Sequence, residues 1–96
     1  MVRIMARITA RAGGDRQLRA VLQDLLGPSR QEAGCVSYEL FQNEDDPLEF
    51  VTVEQWSDQA AADAHLATPH VATAITLASE LLAQAPLIHR FTPVVG

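Results

Sequence analysis

The run Phe50-Val51-Thr52-Val53-Glu54-Gln55-Trp56 constrains the fold of this chain more than any other. On a period of two, Phe50, Thr52, Glu54 and Trp56 share one face of a strand, while Val51, Val53 and Gln55 share the other. Both faces carry apolar side chains, so the element is too apolar for a sheet edge. A carboxylate is thereby delivered beside aromatic surface on an interior strand. Buried there alone, Glu54 would cost several kcal/mol, so it must find a cationic partner or take up a proton.

The apolar period changes in a fixed order along the chain. Val2, Ile4, Ala6, Ile8 and Ala10 alternate with Arg3, Met5, Arg7, Thr9 and Arg11, which predicts a first strand ended by Gly13-Gly14. From Asp15 the apolar residues Leu18, Val21, Leu22, Leu25 and Leu26 fall at helical spacing. Gly27-Pro28 interrupts or kinks this helix, because proline lacks a backbone donor and disfavours helical geometry in the residue before it. Gly34 is placed to stop it. Cys35 to Gln42 reads as a second strand with Val36, Tyr38 and Leu40 on one side. The polar cluster Asn43 to Pro47 turns it into a hairpin with a third strand, Leu48 to Trp56.

Ser57 is placed as the N-cap of a helix reaching His65 and Leu66, with Asp58 in its first turn. Thr68-Pro69 repeats the start signal, so a second helix begins at a bend. That helix carries Val71, Ile75, Ala78 and Leu82 on one stripe, widened by Ala74, Leu77 and Leu81, and Pro86 marks its exit. Leu87 to Val95 reads as a last strand, ended by Pro93 or Gly96. The order β-α-β-β-α-β predicts an α+β, ferredoxin-like antiparallel sheet with helices on one face, as a single domain over residues 1–96. The two-sided apolar third strand, with Met5 and Phe41 on neighbouring strands, predicts that the other sheet face is covered too. A second copy of the chain covers it most economically, giving a two-fold homodimer.

Composition narrows the function classes. A chain of 96 residues with 48% apolar residues can bury a normal core without staples. Its formal charge of −5, with scattered arginines and no lysine, argues against nucleic acid as a partner. The single cysteine, Cys35, fits a reducing cytoplasm and reads as a small buried hydrophobe rather than a nucleophile. The N-terminus alternates charged and apolar residues, unlike a signal peptide, and no stretch reaches the roughly 20 apolar residues of a membrane span. Gly13-Gly14 lacks the dinucleotide fingerprint, so flavin and nicotinamide have no support. His65 and His70 are five apart across a proline-started turn, not the pair that shares one helix face, so no metal is expected.

The run Glu32-Ala33-Gly34-Cys35-Val36-Ser37-Tyr38, then Phe50 through Glu54-Gln55-Trp56, then Ala64-His65-Leu66 and Pro69-His70, resembles the antibiotic biosynthesis monooxygenase (ABM) domain family, including its quinol-monooxygenase-like members. The resemblance covers nearly the whole chain in order. It implies a dimeric α+β barrel of two ferredoxin-like subunits, each with a pocket between its sheet and its helices. It also implies oxidation of a phenolic or quinol-type aromatic by molecular oxygen, with no cofactor. A protein in that role must exclude water, hold a flat aromatic and remove a proton. Domains with the same motifs include an isomerase of small carbonyl compounds, of the autoinducer-degrading type, and non-catalytic ligand-binding or stress-barrel proteins are a third reading. A haem-degrading branch of the superfamily uses an asparagine, a tryptophan and a ligating histidine where Ala6, His65 and Ile75 stand here, so that branch does not match.

Five residues are weighed against this background. His65 is the candidate catalytic acid or base, since imidazole titrates near neutrality, although it could equally fix the helix to the sheet. His70, in the first turn of the second helix, is a weaker candidate for substrate contact. Tyr38 suits a pocket wall or a core position, and Trp56 suits packing or a platform for the substrate. For Glu54 a structural ion pair with Arg7, Arg90 or His65 is favoured over catalysis.

Overall fold

The computed structural model describes residues 1–95. Eight elements follow in order: β1 (Val2–Thr9), α1 (Asp15–Gln23), α2 (Leu26–Arg30), β2 (Cys35–Gln42), β3 (Glu49–Trp56), α3 (Gln59–Leu66), α4 (Pro69–Ala78) and β4 (Leu87–Phe91). The strands form one antiparallel sheet in the order β2-β3-β1-β4, with the helices on one face. This is the expected α+β, ferredoxin-like arrangement, and the two-sided strand β3 is indeed interior.

Strict alternation on β1 and β3 decides which face is core. Val2, Ile4, Ala6 and Ile8 are buried, and so are Phe50, Thr52, Glu54 and Trp56. Register places Ile4 opposite Glu54 and Val2 opposite Trp56. Leu18 and Leu22 of α1, Leu25 beyond it, and Val71, Ala74 and Ala78 of α4 are buried together over this one face. Burying each large apolar side chain in such a layer contributes about 1.5–3 kcal/mol.

Several features differ from the sequence reading, and α4 stops at Ala78, short of Leu81, Leu82 and the expected exit at Pro86. A bulge between Cys35 and Ser37 turns Val36 outward, away from Tyr38, and leaves it half exposed. The cap of α3 is Asp58, one residue later than expected, and its Oδ1 accepts from Ala61 N at 2.8 Å, while Ser57 N donates to Gly34 O at 2.8 Å. Ile75 and Leu77 of α4 are exposed, since the burying stripe runs through Val71, Ala74 and Ala78. The last strand ends at Phe91, and Gly96, one of the two proposed ends, lies outside the described residues. Among the described residues no helix is long and apolar enough to cross a membrane.

Candidate functional site

Between the inner sheet face and the helices lies a cavity of about 610 Å³. Its wall is mostly aliphatic, with Ile4, Ala6 and Ile8 as its floor and residues of α4 and the following segment opposite. Polar groups gather at one side: Tyr38 from β2, Thr52 and Glu54 from β3, and His65 from α3. An apolar chamber with a few convergent polar groups is the usual form of a small-molecule site.

Glu54 is nearly inaccessible, with two hydrogen-bond donors and an imidazole around it. Thr52 Oγ1 donates to Oε2 at 2.7 Å, Trp56 Nε1 donates to Oε1 at 3.0 Å, and His65 Nε2 stands 3.6 Å from Oε1. Burial nevertheless prevails and raises the Glu54 pKa above the ordinary carboxylate value, against the opposing pull of these contacts. Tyr38 is driven upward as well, first by burial and then by the charge of Glu54, so its phenol stays protonated and can donate a hydrogen bond to a ligand oxygen. Burial also raises the Cys35 thiol, the opposite of what an activated nucleophile requires.

His65 is the hub of the site. Its side chain is 3% exposed, and its ring lies 4.6 Å from the Trp56 ring, tilted by 31°, and edge-on to Tyr38 at 5.5 Å. Nδ1 contacts Glu32 Oε2 at 2.7 Å, and His70 Nε2 reaches the same oxygen at 2.8 Å. Glu32 is brought there by the turn before β2. Gly34 adopts φ +85°, and a Cβ on it would come within 2.6 Å of Ala61 Cβ, so the turn lies directly on α3. The bend at Thr68 delivers His70: Thr68 Oγ1 donates to His65 O at 2.7 Å, accepts from Val71 N at 3.4 Å, and so joins the end of α3 to the start of α4.

Glu32, His65 and His70 thus bring three potential ligand atoms within 4.8 Å of one another. Two of the separations are ordinary N–H···O hydrogen-bond distances, so shared protons suffice to account for the arrangement.

The remaining predicted residues lie elsewhere. Trp56 is fully buried behind Glu54 and His65 and does not line the cavity. His70, 25% exposed at its side chain, is not in the cavity wall either. Arg7 pairs with Glu49 at 3.2 Å, and Arg90 pairs with Asp63 at 2.7 Å, so neither is the partner of Glu54. Glu32 is the residue that sequence reasoning missed, although it heads the run Glu32-Ala33-Gly34.

A ferredoxin-like sheet with helices on one face and an apolar chamber between them, a histidine and a carboxylate in its wall, defines an α+β domain of the ABM type. The model of the family described as antibiotic biosynthesis monooxygenase matches residues 1–77, and the chain belongs to that family. A protein of Mycobacterium tuberculosis provisionally named a monooxygenase is 31% identical over 93 residues, 97% of this chain and 91% of the relative. The solved structure of that mycobacterial protein superposes with a TM-score of 0.92, covering 99% of this chain and 96% of its own. A structure from Pseudomonas aeruginosa is 35% identical with a TM-score of 0.91, over 98% and 94% of the two chains. A Synechocystis relative is 35% identical over 65 residues, and the match spans 68% of this chain but only 44% of that longer protein.

Proposed function

We propose that the protein is a cofactor-independent monooxygenase that oxidises a phenolic or quinol-type aromatic with molecular oxygen. The observation that carries this reading is the placement of His65: one imidazole nitrogen faces Glu54 at the wall of an apolar chamber, while the other is engaged by Glu32 outside it. A neutral imidazole held this way can take the proton of a bound phenol. The resulting phenolate is electron-rich enough to reduce oxygen directly. For a simple phenol the reaction balances as phenol plus O₂ giving quinone plus water: one oxygen atom enters the ring and the other leaves as water, with all four electrons drawn from the substrate.

The aliphatic walls suit a flat ring and keep water from the reacting carbanion or phenolate. Tyr38, protonated at all ordinary pH values, offers a donor to the phenolic or quinone oxygen. A second copy of the chain, docked on the outer sheet face, completes the barrel.

Oxygen consumption with a panel of quinols and anthrone-like phenols tests the reading. Metal-free protein is expected to consume oxygen, and His65→Ala to slow it by about 10²–10⁴-fold, the usual contribution of a positioned acid or base. Absence of uptake across the panel, with turnover of a small hydroxycarbonyl compound instead, would reassign the site to isomerisation.

A further inference from the structure

Glu32 meets His65 from outside the cavity, at the ring nitrogen that does not face the substrate. The carboxylate contacts Nδ1 of His65, which faces away from the chamber, and it shares a single oxygen with His70. Neither Glu32 nor His70 lines the cavity wall. Glu32 is mostly buried, with its side chain 13% exposed, and a carboxylate in that setting calls for donors. An ionised carboxylate only accepts, so the two imidazoles must both donate to it.

We propose that Glu32 is a positioning residue for catalysis: with His70 as its second donor, it holds the proton of neutral His65 on Nδ1 and so leaves a bare Nε2 lone pair at the substrate cavity. The proposal rests on the reading of His65 as the base. Which nitrogen of a histidine carries the proton is set by the hydrogen bond that the other one makes. Without Glu32 the nearest strong acceptor for the ring is Glu54, on the Nε2 side at 3.6 Å. The proton would move there, and the nitrogen facing the substrate would become a donor unable to accept.

The second effect of Glu32 follows proton abstraction. When Nε2 takes the substrate's proton, the imidazolium stands between Glu32 on Nδ1 and Glu54 beside Nε2, with Tyr38 and Trp56 excluding water from its sides. The same carboxylate that fixes the tautomer therefore stabilises the charge that the reaction creates. His70 is the part of this assembly nearest solvent. By donating to Oε2 from the start of α4, it gives the carboxylate a second anchor beside His65.

The tautomer can be read without turnover. In ¹⁵N-labelled protein at pH 8, long-range ¹H–¹⁵N correlations of the imidazoles are expected to show His65 protonated on Nδ1 and unprotonated on Nε2. Glu32→Leu should move the proton to Nε2 and lower kcat about as far as His65→Ala does, by about 10²–10⁴-fold. Glu32→Gln, which keeps the shape and a carbonyl acceptor but not the charge, should recover part of the rate if its carbonyl faces His65 and the spectrum again shows Nδ1–H. Nε2–H in the wild-type protein, or Nδ1–H persisting in folded Glu32→Leu, overturns the proposal, and so does a Glu32→Leu protein that turns over at the wild-type rate. Full activity in His65→Ala would instead remove the base reading, and the tautomer spectrum would still report on Glu32 by itself.

Discussion

Trp56 donates its indole N–H to Glu54 at 3.0 Å, from a position two residues further along the same strand face. The tryptophan therefore packs against the carboxylate and the imidazole and does not line the cavity. Trp56→Phe keeps an aromatic ring but removes this donor and part of a fully buried volume. Cavity formation and an underpaired buried acceptor together predict a loss of roughly 2–4 kcal/mol, read from urea unfolding. A substrate-platform role would predict little change in stability and a large rise in KM.

Legibility in the sequence followed the range of the interactions. Period-two patterning placed Glu54, Thr52 and Trp56 on one face, and a helix start placed His65 above them, because strand and helix periods are local. The same parity excludes Arg7: it alternates with the buried residues of β1 and pairs in register with Val51 on the outer face. Arg90 has inner parity, but β1 lies between β4 and β3, so two strand spacings of about 4.8 Å separate its backbone from that of Glu54. Glu32 was hidden for a different reason. Its partner is 33 residues away, reached only through the left-handed Gly34 turn and the contact of that turn with Ala61. The spacing of His65 and His70 was misleading in the same way, since the Thr68 bend, not a helix face, brings both to one oxygen.

Gly34 should be intolerant of any side chain. Alanine there must adopt a left-handed φ and also displace Ala61 Cβ and Ser57 Oγ, which would lie 2.6 and 2.7 Å from the new carbon. Backbone strain and overpacking each cost about 1–3 kcal/mol, so Gly34→Ala is expected to lose roughly 2–6 kcal/mol in thermal or chemical unfolding. Because the turn that moves also carries Glu32, the surviving folded protein should show a weakened His65 Nδ1–H resonance. Unchanged stability would mean that the turn can lift off α3 freely.

The outer sheet face predicts self-association. Met5, Phe41 and Phe91 are 40%, 51% and 47% exposed there, on a face that also carries Val51 and Val53. Light scattering at micromolar concentration is expected to give twice the chain mass of 10.4 kDa. Phe41→Glu with Met5→Asp should yield the single-chain mass, because both changes put charge onto surface that a partner would desolvate. A well-folded wild-type monomer at that concentration contradicts the proposed two-fold barrel.

Stability should fall as Glu54 ionises. Burial raises its pKa in the folded chain above the unfolded carboxylate value, so between the two values the folded state binds more protons than the unfolded state. Stability then decreases with rising pH through that window, which starts in the ordinary carboxylate range, and the contribution present at lower pH is lost above the folded pKa. Glu54→Gln abolishes this titration while its one carbonyl oxygen still accepts from Trp56 and its amide N–H can donate to the Thr52 hydroxyl oxygen, which both donates and accepts. The melting temperature of the variant should therefore gain on the wild type as pH rises from 4 towards neutrality, with the reverse trend on acidification. If the wild type gains on the variant with rising pH, then Thr52, Trp56 and His65 outweigh burial, and Glu54 is an ordinary ionised carboxylate under the site.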